Sequence, residues 1–244
     1  MPTVELEAGE FHYVEYGDRA ASPLVLLHGM PSDGSTWDEV AAALAARYWV
    51  ITPDQRGHGA SARTVTYSLE QMRDDLRQFA DALGLDRFVL GGHSMGGTVA
   101  TLFAERYPDR LAGLILVDSP PPDGSGAFDP GPRPDGDLPY DWAVVPAILA
   151  QLNDPDPAWW AELPSITAPT LVIGGGLTSP VPQQLLAKLS DLVPDATLVT
   201  IEGAGHAVHR TRPAEFLATV VPFLQRIRTD GTSPVCHIRR VPRG

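Results

Sequence analysis

The chain has 244 residues, a net charge of −12 and one cysteine, Cys236. The length suits a single domain with an insertion, and a composition of 43% hydrophobic and 20% charged residues is typical of a folded globular protein. The negative charge argues against a nucleic-acid partner, because phosphate binding requires basic clusters. One cysteine excludes an internal disulfide. Without a secretory leader or a membrane span, we expect a cytoplasmic protein with no membrane partner.

The first half of the sequence alternates strands with helices. Alternating or unbroken apolar residues predict strands at 3–6, 11–16, 24–27, 48–51, 87–90 and 111–117. Apolar residues at three- and four-residue spacing, with a capping box of Ser68 and Gln71 in the second segment, predict helices at 37–47, 68–83 and 98–107. This alternation indicates an α/β fold, with a mostly parallel central sheet flanked by helices on both faces.

The pattern changes between residues 119 and 165. Proline, glycine and aspartate dominate 119–140, which excludes regular structure there, and two short helical segments follow at 142–152 and 157–163. We expect this insertion to form a small lid over the ends of the strands.

The regular alternation then resumes. Strands are predicted at 170–173 and 197–201, and helices at 181–192 and 213–227. The predicted organisation is one domain over residues 1–228, which includes the insertion 119–165, and a disordered tail at 229–244.

One stretch carries the first chemical signal. In Gly92-His93-Ser94-Met95-Gly96 the serine falls where a buried strand turns into a helix, which is typical of a nucleophile elbow. Such a turn is too tight for side chains two residues before and two residues after the serine, and glycine occupies both positions. A glycine-rich turn of this kind also fits a phosphate-binding loop, so other residues have to decide.

A serine nucleophile requires a general base, because its hydroxyl is weakly nucleophilic at neutral pH. When the nucleophile comes first in the chain, the histidine follows the last strand, and His206 in Gly203-Ala204-Gly205-His206 occupies that place. His209 is the rival, and its position at the start of a predicted helix favours a packing role.

Four motifs in this order resemble the α/β-hydrolase family, in particular its short, single-domain esterases and lactonases. These motifs are Leu26-Leu27-His28-Gly29-Met30, Asp54-Gln55-Arg56-Gly57-His58-Gly59-Ala60-Ser61, Gly92-His93-Ser94-Met95-Gly96-Gly97 and Gly205-His206. The resemblance extends over nearly the whole chain to Arg228.

The resemblance implies an oxyanion hole made by the backbone N–H groups of Met30 and Met95, next to the nucleophile Ser94. Backbone donors at these places stabilise the negative charge of a tetrahedral intermediate. It also implies a bracing role for His28, Arg56 and His58, in the loops around the site.

The acid of the triad departs from the family pattern. In the family an aspartate usually follows the strand that ends at Ile173, but Thr178 stands there. Some members place the acid after the preceding strand, where this chain has Asp118. The predicted triad is therefore Ser94, His206 and Asp118, and the alternative role for Asp118 is to brace the entrance to the insertion.

The predicted function is hydrolysis of a small-molecule carboxylic ester or lactone through an acyl-enzyme, without a metal or organic cofactor. A mainly apolar pocket is expected, with four tryptophans as substrate-binding residues: Trp37, Trp142, Trp159 and Trp160. Two alternatives remain open, namely a carbon–carbon bond hydrolase acting on a diketone with the same triad, and a ligand-binding or receptor-like protein, which the missing family acid suggests. The sequence leaves the oligomeric state undetermined.

Overall fold

Eight strands form one sheet in the computed structural model, which describes residues 2–229. The strands are β1 (Thr3–Leu6), β2 (Gly9–Tyr16), β3 (Ser22–Leu27), β4 (Tyr48–Pro53), β5 (Phe88–His93), β6 (Leu111–Val117), β7 (Thr170–Gly174) and β8 (Ala196–Thr200). Their order is β1-β2-β4-β3-β5-β6-β7-β8. The hairpin β1–β2 is antiparallel and joins β4 antiparallel, and the pairs from β4 to β8 are parallel. The predicted α/β fold with a mostly parallel sheet is confirmed.

Eight α-helices connect and cover the strands within the described residues. They are α1 (Asp38–Leu44), α2 (Leu69–Ala82), α3 (Met95–Arg106), α4 (Val144–Asn153), α5 (Ala158–Ala161), α6 (Gln183–Leu192), α7 (Val208–Thr211) and α8 (Pro213–Thr229). The predicted tail 229–244 lies outside the described residues except for Thr229.

Six helices begin one to three residues away from their predicted starts, and the caps of α1 and α2 illustrate the differences. The helix expected from Trp37 begins one residue later, because a 3-10 turn over Gly34–Trp37, capped by the Asp33 side chain, precedes α1. At α2 the Ser68 hydroxyl accepts a hydrogen bond from the Gln71 N–H at 3.1 Å. The Gln71 side chain donates to Thr66 instead of returning to Ser68, so only half of the capping box forms.

The core has one layer on each face of the sheet. In β3, Val25 and Leu27 belong to the layer that contains α2 and α3, whereas Leu24 and Leu26 belong to the layer that contains α1 and α8. All four side chains are almost completely buried. An unbroken apolar strand is therefore required here, because helices cover both of its faces.

The parallel strands bring three loops together at one edge of the sheet. The residues that follow β5, β6 and β7 are Ser94, Asp118 and Gly175, and the register pairs His93 with Val117 and Val117 with Ile173. Functional side chains in open α/β sheets collect at this carboxyl edge.

The insertion 119–165 leaves the sheet at the same edge and is anchored to α2. The Leu69 N–H donates to Gln151 Oε1 at 2.8 Å, and Gln151 Nε2 donates to Glu70 at 2.7 Å. Within residues 2–229, no helix combines the length and the hydropathy needed to cross a bilayer.

Candidate active site

Ser94 sits on a strained turn between β5 and α3. Its φ of 52° and ψ of −122° lie in a region that non-glycine residues rarely adopt. A Cβ atom on Gly92 would fall 2.2 Å from the Gly96 carbonyl oxygen, and one on Gly96 would fall 2.5 Å from the His28 carbonyl oxygen. Glycine is therefore a steric requirement at both positions, and the Ser94 residue between them stays partly exposed.

Two backbone amides near Ser94 are available as donors. The N–H groups of Met30 and Met95 donate to no protein acceptor within residues 2–229. Met95 is the first residue of α3, where an N–H has no partner inside the helix and the helix dipole favours negative charge. Both methionines line the same cavity as Ser94.

His206 meets Asp118 across 88 residues of sequence. The distance from His206 Nδ1 to Asp118 Oδ2 is 2.8 Å, and the carboxylate is almost completely buried. A carboxylate accepts hydrogen bonds, so Nδ1 carries the proton and Nε2 remains the basic nitrogen. Close contact of the two loops fixes this geometry: the Gly205 N–H donates to the Gly175 carbonyl at 3.0 Å, and a Cβ on Gly175 would fall 1.9 Å from the Gly205 oxygen.

Further donors surround the Asp118 carboxylate. The Gly175 N–H donates to Oδ1 at 3.1 Å, Gln183 Nε2 lies 3.4 Å from Oδ1, and the Ser179 hydroxyl donates to Oδ2. Burial alone raises the pKa of this carboxyl, but hydrogen bonds from His206, Ser179 and the Gly175 amide hold it below its usual value. Asp118 is therefore ionised at neutral pH.

Thr178, at the usual family position of the acid, makes no hydrogen bond to the His206 imidazole. Its hydroxyl lies 3.5 Å from the Gly175 carbonyl oxygen, and the neighbouring Ser179 reaches Asp118 instead. The strand-end segment that normally provides the acid thus provides a hydrogen-bond donor to an acid on the adjacent strand.

The rival histidine lies in the core. His209 is 1% exposed, and its ring stacks on that of Trp37 with 3.8 Å between centroids. Burial lowers the pKa of His209 to about 2, so it is neutral at physiological pH.

His93, next to Ser94, contacts the loop that carries His206. Burial lowers the pKa of His93 to about 3, and its Nε2–H donates to the His206 carbonyl oxygen at 2.9 Å. This bond ties the His206 loop to the elbow.

The remaining polar residues of the motifs brace the loops. His28 Nε2 accepts the Gln55 N–H at 3.0 Å, and Arg56 makes two 2.6 Å hydrogen bonds to Asp75. His58 is fully buried, and burial lowers its pKa to about 3. All three side chains lie outside the cavity lining.

A cavity of about 450 Å³ opens beside the elbow, and both Ser94 and His206 line it. Its volume lies within the range of small-molecule sites, roughly 300 to 1,000 Å³. The walls come from the insertion, from α4 and from the start of α6, and they are mostly apolar. The apolar wall residues are Pro120, Pro121, Pro122, Phe128, Ile148, Leu149, Leu152, Pro180, Val181, Pro182 and Leu185, with Met30 and Met95 at the elbow.

The predicted tryptophan lining is corrected by the structure, which puts all four tryptophans outside the cavity lining. Trp37 is fully buried in the core layer of α1 and α8, and Trp159 is buried in the opposite layer. Trp160 packs behind the wall, where its Nε1–H donates to the Pro122 carbonyl at 2.9 Å, and Trp142 is partly exposed. Large apolar residues pack in a hydrophobic core as readily as in a pocket wall, so residue type alone does not predict which of these two places a tryptophan occupies.

The residues that do line the cavity were less visible in the sequence. Ile148 and Leu152 lie one helical turn apart on α4, a spacing that the predicted helix already contained.

Within residues 2–229, no group of three or more His, Cys, Asp or Glu side chains is arranged to hold a metal ion.

Comparison with known proteins identifies the family of this chain. Residues 22–149 match the family described as the alpha/beta hydrolase fold. A relative in Caulobacter vibrioides, provisionally named as the carbamate hydrolase RutD, is 30% identical over 88% of this chain and 95% of its own length. A thermophilic esterase from Thermogutta terrifontis superposes with a TM-score of 0.78 at 25% identity, covering 93% of this chain and 98% of its own. Est816, described as an N-acyl homoserine lactone degrading enzyme, superposes with a TM-score of 0.76 at 27% identity, covering 91% and 100%.

The chain therefore belongs to the α/β-hydrolase family, and it is a hydrolase. The resemblance inferred from the four sequence motifs is confirmed.

Proposed function

We propose that this protein is a serine hydrolase that cleaves a carboxylic ester or lactone through an acyl-enzyme intermediate. The observation that carries the proposal is that His206 is hydrogen-bonded to the buried Asp118 while it lines the same cavity as Ser94. The esterase and lactone-degrading neighbours support this bond type among those that the family cleaves.

In the proposed reaction Ser94 Oγ attacks the substrate carbonyl carbon while its proton moves to Nε2 of His206. Asp118 holds the imidazole in the required tautomer and stabilises the imidazolium. The negative charge on the carbonyl oxygen is met by the amides of Met30 and Met95, and one such donor is typically worth about a hundredfold or more in rate.

Collapse of the tetrahedral intermediate breaks the bond to the alkoxy group, which leaves as an alcohol with the proton from His206. Water then attacks the acyl-enzyme, giving its proton to His206, and the second collapse releases the acid and returns the proton to Ser94. In a lactone both products remain one molecule.

A fluorophosphonate probe tests the proposal, because it labels only an activated serine. We expect labelling of the parent and none of Ser94→Ala, together with hydrolysis of p-nitrophenyl esters by the parent alone. The absence of both labelling and turnover in a folded parent would favour the ligand-binding alternative. The contact between Asp118 and His206 supports the hydrolase over the ligand-binding alternative, because it gives the imidazole an acidic partner although Thr178 occupies the usual position of the acid.

The carbon–carbon hydrolase alternative is separated by substrate. A coloured ring-fission diketone turned over faster than any ester would replace the ester proposal with this alternative.

A further inference from the structure

The charges around the cavity point to a substrate class. Among its lining residues there is no lysine or arginine, and the two acidic members are Asp118 and Asp123. Asp118 is engaged by His206 and stays ionised. Asp123 lies in the insertion, and hydrogen bonds from the Ser125 hydroxyl and amide hold its pKa below the usual value, so it is ionised too. The lining thus carries two carboxylates and no lysine or arginine to pair with an anion.

The one lysine of the chain lies behind the cavity wall. Lys188 is the only lysine in the sequence, and its Nζ lies 4.0 Å from the centroid of the Trp160 ring. Trp160 in turn donates to the Pro122 carbonyl, which belongs to the cavity wall. The ammonium group therefore makes a cation–π contact behind the wall, outside the lining, and its charge makes a small contribution to the lowered pKa of Asp123.

From these contacts we infer that the site accepts uncharged esters or lactones with an apolar acyl group and rejects acyl groups that carry a carboxylate. A carboxylate entering this cavity loses water without gaining a lysine or arginine partner and faces two acidic side chains, which is costly in an apolar environment. The proline, leucine, isoleucine and valine walls, by contrast, stabilise an alkyl chain in proportion to the apolar area that it buries.

This inference rests on the proposed function, and a matched pair of substrates tests it separately. p-Nitrophenyl hexanoate and mono-p-nitrophenyl adipate have acyl groups of six carbons, and only the second ends in a carboxylate. After correction for the hydroxide-catalysed rate of each ester at pH 7.5, we expect kcat/KM to be at least a hundredfold lower for the adipate. A ratio below tenfold overturns the inference while leaving the proposed function intact.

Chain length provides a second arm of the same test. From p-nitrophenyl acetate to hexanoate we expect kcat/KM to rise by about threefold to fourfold for each methylene group until the cavity is filled. A flat or falling series overturns the apolar part of the inference. Failure to hydrolyse any of these esters, together with absent fluorophosphonate labelling, refutes the proposed function instead.

A pair of variants tests the role of charge. Asp123→Arg places a cation at the wall, and we expect it to reduce the hexanoate-to-adipate ratio at least threefold. Asp135→Arg makes the same charge change at an exposed position of the insertion that does not line the cavity. We expect the ratio of this control to stay at the parental value. Equal ratios in the two variants would show that net charge, and not the cavity wall, sets the preference, and would overturn the inference.

Discussion

The hydroxyl of Ser179 donates a hydrogen bond to Oδ2 of Asp118, the same oxygen that His206 contacts. Ser179 follows β7, where the family usually has its acid, and Asp118 follows β6. The Ser179 oxygen also accepts the Val181 N–H at 3.0 Å, so the serine is itself held in place. Two adjacent strand ends therefore cooperate in presenting one carboxylate to one imidazole.

Asp118→Asn should lose most of the esterase activity. The amide offers no charge to the imidazolium and favours the wrong tautomer of His206, a change that costs about ten thousandfold in well-studied serine proteases. We expect kcat on p-nitrophenyl butanoate to fall by about a hundredfold to ten thousandfold, with unchanged far-UV circular dichroism. Near-parental turnover would refute the role of Asp118.

Relocating the acid should restore part of this loss. Thr178 lies at the usual family position, beside the loop that carries His206: a Cβ on Gly205 would be 3.9 Å from its hydroxyl. In the double variant Asp118→Asn/Thr178→Asp we expect kcat to recover at least tenfold relative to Asp118→Asn. Asp118→Asn/Thr178→Asn is the matched control without the charge. If the two double variants are equally slow, a carboxylate at residue 178 does not reach the imidazole.

Ser179→Ala should weaken catalysis. A hydrogen bond to a charged group is worth about 1.5 to 3 kcal/mol, so we expect kcat to fall by roughly tenfold or more. Loss of this donor also raises the pKa of Asp118, which moves the acid limb of the rate profile to higher pH. Ser179→Thr keeps the hydroxyl and should restore both kcat and the profile, whereas a purely structural role would leave the profile unmoved.

Stability should decline as the pH falls below about 6.5. Burial lowers the pKa of His58 and His93 to about 3 and that of His209 to about 2, from an ordinary value of 6.5. Between these values the unfolded state binds more protons than the folded state, so stability is lost on acidification, by up to about 1.4 kcal/mol per pH unit for each histidine. Urea unfolding at pH 5.0 and 6.5 measures this slope.

The variant His209→Phe tests how much His209 contributes to the change of unfolding free energy with pH. Neither ring nitrogen of His209 has a hydrogen-bond partner among the described residues, and the ring stacks on Trp37. The substitution removes one buried group that must be neutral, so the difference in unfolding free energy between pH 6.5 and 5.0 should shrink. An unchanged difference would contradict the assignment of His209 to the neutral form.

Glu105 should limit stability on the alkaline side. Burial, with a smaller effect of Glu162, raises the pKa of Glu105 to about 8, against 4.5 for an ordinary glutamate. Here the folded state binds the extra proton, so stability is lost as the pH rises toward 8. Together with the histidines this places the stability maximum near pH 6.5.

The variant Glu105→Gln should raise the melting temperature at pH 8 and change it little at pH 5. Glu162→Gln, which removes the exposed neighbouring charge, should have a smaller effect on the melting temperature. A melting temperature for Glu105→Gln that moves equally at both pH values would contradict the raised pKa.

The sequence alone determined where most strands and helices lie along the chain, that helices cover both faces of the sheet, and the position of Ser94 on its turn. These features follow from local constraints: an unbroken apolar run such as 24–27 requires cover on both faces, and glycines flank the serine because neighbouring backbone leaves no room for a Cβ. Such constraints act between residues that are close in the chain, so they produce sequence patterns from which the elements can be predicted.

Only the tertiary structure decided what Asp118 contacts and what fills the pocket. The carboxylate reaches His206 because the ends of three parallel strands and a glycine-rich loop converge, and no local pattern encodes a meeting across 88 residues. Trp37 joined the core and Leu149 the cavity for a related reason. Apolar side chains gain the same free energy from burial in either place, and long-range packing of the helices and the insertion decides between them.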